Sequence, residues 1–303
     1  SLYTSRVVIE VLGVTDFGIF NVVGGIVIML SFLNLTMTAG NLRFLSFELG
    51  KNDYDKLQRT FSALITTHLV LALCIFLVAE SAGLWFLNNY LNLPQNRIDA
   101  ANWVFHFSVL STIVTVIQVP FTSIIIAHEK MKVFTYIGIV SVIFKLLIVL
   151  ILVKFGSDKL ILYSLLSFIA IFLILIVTYI YCHKYFNETK YKFEWDKELL
   201  NNIINFSSWN TIGGLGVVVV DQGINILLNL FFGPLVNAAR GIAIQVKSAV
   251  GSFVGNFQTA VNPQIIKSHA NQDYEYSTSL IYNSAKYSFF LLFLISFPII
   301  LES

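Results

Sequence analysis

Residues 50–60 read GKNDYDKLQRT, and residues 270–280 read ANQDYEYSTSL. Each stretch follows a long apolar run, and each contains an Asp-Tyr pair followed by an acidic residue. The second stretch begins 220 residues after the first. Two similar polar connections at this spacing indicate an internal repeat, which the arrangement of the apolar runs can test.

The composition is that of a membrane protein. Of the 303 residues, 56% are apolar and 12% are charged, whereas soluble domains carry about 25% charged residues. Apolar runs of about 20 residues between short polar segments predict membrane-spanning helices. We therefore expect an all-α integral membrane protein. The formal net charge of +2 is too small to indicate a nucleic-acid partner.

The sequence indicates neither a catalytic site nor a metal site. Cys74 and Cys182 both fall within apolar runs, so we interpret them as reduced membrane residues. The His, Cys, Asp and Glu residues lack the spacing of a metal site, and the loops are too short for a soluble catalytic domain. The chain starts at Ser1 inside an apolar stretch and stops at Ser303 just after another one. We therefore expect a fragment that is cut at both ends.

Nine membrane spans are predicted, and the first is only the tail of a helix. Several are longer than the roughly 20 residues that cross a bilayer, so they should tilt, kink or protrude. The predicted spans are residues 2–12, 17–45, 60–79, 100–127, 133–153, 160–182, 203–232, 235–266 and 277–300.

The basic residues of the loops predict the orientation. Most loop Lys and Arg residues follow spans two, four, six and eight, and such loops are usually cytoplasmic. We therefore predict that residues 51–59, 128–132, 184–197 and 268–275 lie in the cytoplasm. Residues 184–202 are interpreted as a linker with a short helix on the membrane surface, although a plain connection remains the alternative.

The 220-residue offset relates whole spans as well as loops. It places Gly13 on Gly233 and Asp53 on Asp273, and it places span two on span eight. The repeat is therefore six helices long. Because an even number of spans preserves orientation, we expect two parallel six-helix lobes related by an axis along the membrane normal. The predicted units are a first lobe at 1–183, the linker at 184–202 and a truncated second lobe at 203–303.

Five stretches resemble a known superfamily of membrane proteins. The chain looks like a polysaccharide or lipid-linked oligosaccharide flippase of the multidrug/oligosaccharidyl-lipid/polysaccharide exporter superfamily, of the kind found in bacterial O-antigen or capsule clusters. The motifs identify the fold better than the substrate. They are VLGVTDFGIFNVV (11–23), NLRFLSFELGKND (41–53), IIIAHEKMKVF (124–134), NLFFGPLVNAARGIAIQV (229–246) and NFQTAVNPQIIKSHANQDYE (256–275).

The resemblance implies a transporter rather than an enzyme. It implies two lobes around a central cavity that opens alternately to each side of the bacterial inner membrane. The implied substrate is an undecaprenyl-diphosphate-linked oligosaccharide, and the implied functional link is to glycosyltransferases and a polymerase of the same pathway. No cofactor is expected, and the coupling ion, H+ or Na+, is left open.

Polar and charged residues inside the predicted spans are candidates for the cavity, because a charge within a bilayer is costly and usually faces water or a partner. Arg6 and Glu10 are four residues apart and can pair on one helix face, which also allows a purely structural role. The candidates are Arg6, Glu10, Lys145, Asp221, Asn225, Arg240, Gln245, Lys247 and Asn256.

Lys247 is the strongest of these candidates. It lies about two turns deeper in its span than Arg240, which could instead reach the membrane surface. The neighbouring Gln245 and Ser248 favour a wet environment. We expect Lys247, supported by Arg240, to face the central cavity and to hold the diphosphate, because an anionic head group needs a counter-charge in a low-dielectric passage.

Two other functions are weighed against the flippase. A Na+- or H+-coupled exporter of drugs or organic cations with the same fold would require a net acidic cavity, but basic residues outnumber acidic ones among the candidates. A membrane enzyme would require a substantial loop or a catalytic cluster. Neighbouring genes would separate these functions, since glycosyltransferase genes favour the flippase.

Overall fold

The protein, represented by a computed structural model, is described at residues 8, 10–28, 32–90, 94–154, 158–192, 196–232 and 234–301. All regular elements in these residues are helical. The ten α-helices of the described part are α1 (Val14–Ile28), α2 (Phe32–Gly50), α3 (Tyr54–Val78), α4 (Leu84–Tyr90), α5 (Ile98–Ala127), α6 (Met131–Lys154), α7 (Lys159–Tyr185), α8 (Lys197–Phe232), α9 (Pro234–Ala270) and α10 (Tyr274–Leu301).

The described helices confirm a multi-pass membrane protein with an all-helical fold. Five helical stretches are long and apolar enough to cross a membrane. They are Tyr54–Tyr90, Gln95–Ala127, Met131–Val153, Lys159–Tyr185 and Tyr274–Pro298. We call α1–α7 the first lobe and α8–α10 the second lobe, while the exact domain boundaries stay a prediction.

Most of predicted span one, 2–12, lies outside the described residues. The other predicted spans agree with the observed helices in position and differ from them in length. Predicted span two, 17–45, covers the two helices α1 and α2, and residues 29–31 between them lie outside the described residues. Helices α8 and α9 have 36 and 37 residues. At 1.5 Å per residue each is about 55 Å long, which exceeds a hydrocarbon core of about 30 Å, so both extend beyond the core or tilt.

The linker differs from its prediction in one respect. The Asp196 carboxylate accepts a hydrogen bond from the Leu199 amide at 3.0 Å and so caps the start of the following helix. The helix that follows does not stop at the membrane surface, however, because α8 continues without a break to Phe232. The predicted surface helix is therefore the first turns of a long helix of the second lobe.

Three turns share one backbone geometry. Asn52, Glu129 and Gln272 have φ angles of 56°, 58° and 61°. In each turn the amide of this residue donates to the carbonyl three residues earlier, at 3.2, 2.8 and 3.0 Å, and the next amide donates to the carbonyl five residues earlier, at 3.4, 3.1 and 3.0 Å. This is the Schellman arrangement that ends a helix.

The first and third of these turns show the predicted repeat in detail. Their left-handed residues are 220 positions apart, and so are their helix caps. The Asp53 carboxylate accepts from the Lys56 amide at 3.0 Å, and the Asp273 carboxylate accepts from the Tyr276 amide at 3.1 Å. The sequence similarity of the two stretches thus corresponds to the same turn and the same cap.

These turns gather with residues 186–192 at one end of the bundle, which we call the basic end. The Gln58 side chain donates to the Lys190 carbonyl at 2.9 Å, and Glu129 contacts Lys267 of α9. The contacts agree with the prediction that residues 51–59, 128–132, 184–197 and 268–275 share one side of the membrane. That this side is the cytoplasmic one stays a prediction.

The two lobes meet at the basic end without intervening side chains. A Cβ atom added to Gly50 of α2 would lie 2.8 Å from the Cα of Lys267 and 2.9 Å from the Cβ of Ala270, both in α9. Gly50 and Ala270 are themselves 220 residues apart. Equivalent positions of the two repeats therefore touch, as expected close to an axis that relates them.

Arg97 joins three helix starts at the other end of the bundle, which we call the opposite end. Its Nε donates to Asp16 at 2.9 Å, and its Nη1 donates to Asp158 at 2.6 Å. Asp158 also caps α7 by accepting from the Leu160 amide at 3.1 Å. Burial alone would raise the pKa of Asp158, but the hydrogen bonds from Arg97 outweigh it and lower this pKa.

Candidate functional site

A cavity of about 850 Å³ lies between the lobes. Its walls come from α5, α6 and α7 of the first lobe, and Asn256 of α9 reaches it from the second lobe. This volume is within the range of small-molecule sites, about 300–1,000 Å³. The cavity is therefore large enough to bind part of a substrate.

Helix α5 presents a polar stripe to this cavity. Thr115, Gln118 and Thr122 line it, and their spacing of three and four residues keeps them on one helix face. Thr115 donates its hydroxyl hydrogen to the Ser111 carbonyl at 2.8 Å, which leaves its oxygen able to accept. Gln118 makes no hydrogen bond within the described residues, so its amide can bind a ligand.

Helix α6 contributes further polar residues and one lysine to the same surface. Thr135 and Ser141 line the large cavity. Ser141 also lines an adjoining cavity of about 230 Å³ together with Lys145, Tyr163 and Ser167. The two cavities share part of their lining and form one cleft. Lys145 lies 14 residues into α6, which is about 21 Å from the basic end and close to the middle of a bilayer.

The described lining residues give the cleft a net positive charge. Lys145 is its charged residue in the part of the chain that the structure describes, and neither Asp nor Glu is among the described lining residues. A lysine at this depth is costly unless water, a partner or a ligand stabilises its charge. The remaining polar groups are hydroxyls and amides, which suit hydrogen bonds to uncharged hydroxyl groups.

The structure brings together only part of the predicted set. Lys145 and Asn256 line the cleft, as described above. Glu10 is exposed and Arg6 lies outside the described residues. Four others belong to α8 or α9, but their side chains lie outside the described ones. These four are Asp221, Asn225, Arg240 and Gln245.

Lys247 is exposed on α9, and its role in the cavity stays a prediction. It precedes Asn256 by nine residues. At 3.6 residues per turn, nine residues correspond to about half a turn beyond two full turns. Lys247 and Asn256 therefore lie on opposite faces of α9, and only Asn256 faces the cleft between α5, α6 and α7.

Sequence reasoning missed the α5 stripe. Ser108, Ser111, Thr115, Gln118 and Thr122 recur every three or four residues within an apolar span. That pattern marks a polar face on a membrane helix. The predicted cavity residues did not include it, because they were chosen mainly for their charge. Helical spacing of the uncharged polar residues was the signal that would have found this wall.

Comparison with known protein families shows which family this chain belongs to. A family of proteins described as "Polysaccharide biosynthesis protein" matches residues 3–273. The chain belongs to this family. The match covers all the helices of the first lobe and all the described lining residues of the cleft, and it confirms the resemblance to polysaccharide exporters. No curated protein is similar enough to count as a relative.

Several solved structures have the same fold as this chain. A MOP superfamily transporter from Pyrococcus furiosus, in which reverse polarity of the binding pocket suggests a different function, has a TM-score of 0.76 and 11% identity. An outward-facing multidrug resistance MATE transporter of the MOP superfamily has a TM-score of 0.77 at 11% identity. A MATE protein in the straight conformation has a TM-score of 0.78 at 11% identity.

These matches cover 98% of this chain and 66% of each relative. At this identity they show the fold alone. The chain thus spans about two thirds of the length of the transporters that it matches. Family and fold together describe a membrane protein of the polysaccharide biosynthesis family with a MATE-like fold.

Proposed function

We propose that this protein moves a lipid-linked oligosaccharide of the undecaprenyl-diphosphate type across the bacterial inner membrane by alternating access. The product would enter polysaccharide, O-antigen or capsule synthesis, downstream of glycosyltransferases and upstream of a polymerase. The observation that carries the proposal is the lining of the cleft: one lysine, several hydroxyls and two free amides, without a carboxylate among the described residues.

This lining suits the two parts of such a head group. The Lys145 ammonium supplies a positive charge for the diphosphate, and a point charge is sufficient for that role. Gln118 and Asn256 can donate to and accept from sugar hydroxyls, as can the Thr and Ser residues of the stripe. Because Asn256 comes from the second lobe, a sugar bound between it and Gln118 would contact both lobes.

Among proteins of this fold, the charge of the binding pocket indicates the charge of the substrate. The relative from Pyrococcus furiosus has a binding pocket of reverse polarity, from which a different function was suggested. An exporter of organic cations with H+ or Na+ coupling would need carboxylates where the present cleft has Lys145. The net positive cleft therefore favours an anionic substrate over a cationic one.

The test replaces Lys145 by Gln, with Lys145→Arg as the variant that keeps the charge. Both are expressed in a strain whose surface polysaccharide depends on this protein, and protein in the membrane and polysaccharide at the surface are measured together. Losing a charged hydrogen bond costs about 1.5–3 kcal/mol, which corresponds to a roughly tenfold or larger loss of export. Lys145→Arg should retain most of the export.

Lys247→Gln is the second variant, because the sequence favours that residue. Normal export by Lys145→Gln at normal protein level would remove Lys145 from substrate binding. Export that depends on Lys247 alone would move the anion site to the second lobe. Normal surface polysaccharide together with increased sensitivity to cationic drugs, in cells without the protein, would favour the drug exporter instead.

A further inference from the structure

The two cavities of the cleft differ in size and in enclosure. The larger one has about 850 Å³, and the smaller one, which we call the inner pocket, has about 230 Å³. Val142 and Ile143 in the wall of the larger cavity are 50% and 47% exposed, whereas Ile148 and Val149 in the wall of the inner pocket are each 6% exposed. The inner pocket is therefore the enclosed part of the cleft, and its volume suits one chemical group of a ligand rather than a whole ligand.

The two cavities also lie at different depths. Helix α6 begins at the basic end with Met131. Thr135 lines only the larger cavity, Lys145 and Ile148 line only the inner pocket, and Ser141 lines both. Along the helix, Thr135 is about 6 Å and Lys145 about 21 Å from the basic end. A ligand that fills both cavities therefore has one part near the basic end and another part near the middle of the bilayer.

Helices α6 and α7 both supply polar groups to the inner pocket. Ser141 and Lys145 of α6 are four residues apart, and so are Tyr163 and Ser167 of α7, so each pair lies on one helix face. All four line the pocket, and its described lining includes no carboxylate. The Lys145 ammonium can only donate hydrogen bonds, and each hydroxyl can donate one. The pocket therefore fits a group that is rich in acceptor oxygens, such as phosphate.

The two pairs lie at successive depths in this pocket. Helices α6 and α7 are antiparallel, pack against each other and cross the membrane. Counted back from the end of α7 at Tyr185, Ser167 is about 27 Å and Tyr163 about 33 Å from the basic end, compared with about 21 Å for Lys145. Donors at two successive depths can bind two phosphate groups in a row.

Tyr163 is held in place by two contacts. Its hydroxyl shares a hydrogen bond with Ser167, and its ring packs edge-on against Phe20 of α1 with ring centres 4.8 Å apart. Whichever hydroxyl donates in the shared bond, the other keeps its own hydrogen for a ligand. A donor that is already positioned loses less conformational freedom on binding than a mobile one. The Tyr163–Ser167 pair therefore acts as one preset hydrogen-bond donor.

Lys145 and Ser141 are available for a ligand as well. Within the part of the chain that the structure describes, neither side chain has a hydrogen bond or an ion pair. A lysine charge at this depth requires water, a partner or a ligand. Attraction between an ammonium and an anion is also stronger in an enclosed site than in water. The inner pocket thus has an unpaired charge and preset donors in the same small volume.

We propose that the inner pocket is the diphosphate subsite of the cleft, with Lys145 and Ser141 at one phosphate group and the Tyr163–Ser167 pair at the other. This inference rests on the proposed function and deepens it, because it adds the residues that select a diphosphate over a monophosphate. The sugars occupy the larger cavity. All four residues belong to the first lobe, so the diphosphate stays with that lobe when the lobes move.

The test uses two ligands that lack sugars and differ by one phosphate group, farnesyl diphosphate and farnesyl phosphate. Their dissociation constants are measured by isothermal titration calorimetry with the purified full-length protein in one detergent, and variants are compared in that detergent so that partition into micelles cancels. One further hydrogen bond to a charged group contributes about 1.5–3 kcal/mol. The unaltered protein should therefore bind the diphosphate at least about tenfold more tightly than the monophosphate.

Tyr163→Phe removes one hydroxyl and keeps the ring against Phe20. It should weaken binding of the diphosphate about tenfold and change binding of the monophosphate little, so that the ratio of the two constants falls toward one. Ser167→Ala should weaken the diphosphate by about threefold, because Tyr163 keeps its hydrogen but loses its fixed position. The double variant should bind like Tyr163→Phe, since the two hydroxyls act as a unit. Tyr179→Phe, on the same helix but outside the cleft, should change neither constant.

Variants of the larger cavity test the separation of the two subsites. Gln118→Ala and Asn256→Ala should reduce export of polysaccharide at normal protein level. Their affinity for farnesyl diphosphate should stay within about twofold of the original, because this ligand has no sugar. Lys145→Gln should weaken both farnesyl ligands.

Four results would overturn the inference. The first is failure of farnesyl diphosphate to bind the unaltered protein, and the second is equal affinity for the two ligands. The third is an unchanged ratio in both Tyr163→Phe and Ser167→Ala, each with normal Tm. The fourth is a loss of diphosphate affinity in Gln118→Ala as large as that in Tyr163→Phe, which would place the phosphates in the larger cavity.

Export by Lys145→Gln separates the failure of this inference from the failure of the proposed function. If export falls in that variant while any of the four results is found, only the assignment of the inner pocket is wrong. If farnesyl diphosphate does not bind and Lys145→Gln exports normally, both proposals are wrong.

Discussion

The two ends of the bundle use charged residues in different ways. At the opposite end, Arg97 joins Asp16 and Asp158, and all three belong to the first lobe. At the basic end, Glu129 of the first lobe accepts hydrogen bonds from Lys267 and Gln264 of the second, at 2.6 and 3.0 Å. One end therefore fastens helices within a lobe, and the other fastens one lobe to the other.

Under the proposed function, this difference separates the contacts that hold one lobe together from the contacts that would change between the two access states. Alternating access in repeat transporters moves one bundle against the other as largely rigid bodies. The Arg97 cluster can persist through such a movement, because its members move together. The Glu129 contact and the Gly50 contact cross the lobe boundary, so they must break whenever the basic end opens.

The largest effect is expected from Arg97→Gln. The change leaves Asp16 and Asp158 close together without their shared cation. Hydrogen bonds to charged groups contribute about 1.5–3 kcal/mol each, so the free energy of unfolding should fall by about 3 kcal/mol. Thermal unfolding of the purified full-length protein measures this as a lower Tm, and Lys159→Gln at the same end serves as the control. An unchanged Tm would show that the cluster does not stabilise the lobe.

Gly50→Val should break the contact between the lobes with less effect on each lobe. The new side chain would overlap backbone atoms of Lys267, which cannot move aside as a flexible side chain could. Overpacking costs about 1–3 kcal/mol, and here the cost falls on the state with a closed basic end. Pulsed electron resonance between spin labels at Asp55 and Glu275 should show longer distances. Gly18→Val, at a position with open space, should leave the distances unchanged.

Glu129→Gln should weaken the same contact by a smaller amount. Exposed ion pairs contribute about 0.2–1 kcal/mol, so the open fraction in the spin-label measurement should rise by no more than about fivefold. Lys267→Gln should have a similar effect, and the double variant should add little to either one. Fully additive effects would show that the two side chains do not interact in the membrane.

The pH dependence of this contact has a definite sign. Burial alone would raise the pKa of Glu129, but the hydrogen bonds from Lys267 and Gln264 outweigh it, and His128 adds to them, so that the pKa is lowered. A carboxyl group with a lowered pKa stabilises the contact at neutral pH and loses that contribution as the pH falls through the lowered value. The open fraction should therefore be constant near neutral pH and should rise only in acid, and Glu129→Gln should remove the rise.

The smallest effect is expected from Glu188→Gln in the linker. Glu188 is buried and accepts a hydrogen bond from His128, whose ring stacks on Phe186 with centres 4.2 Å apart. The hydrogen bond lowers the pKa of Glu188 against the opposing effect of burial. Gln can still accept from His128, so only about 0.5 kcal/mol should be lost. Trypsin cleavage at Lys190 should be slightly faster, and a large increase would contradict a merely local role.

Local chemistry made the membrane spans and the repeat predictable. Apolar runs and turn residues act over a few positions, and both copies of the Asp-Tyr stretch form the same cap for that reason.

Contacts between residues far apart in the chain could not be predicted from the sequence. The partners of Arg97 are 81 and 61 residues away in the chain, so the sequence alone does not show that the three side chains meet. Asn256 and Lys247 both looked like cavity residues on one helix. Which face of α9 meets the cleft depends on how α9 packs against α2 and α5 of the first lobe, and those contacts between lobes cannot be read from the α9 sequence.

The touching pair Gly50 and Ala270 has a consequence for how the two halves can diverge. Each is the counterpart of the other, but only the first copy must lack a side chain. A Cβ atom at Gly50 would meet the Lys267 backbone as well as the Cβ of Ala270, so removing the Ala270 methyl group would not make room for it. The two copies therefore cannot exchange roles at this position, and Gly50→Ala should stay unfavourable even when it is combined with Ala270→Gly.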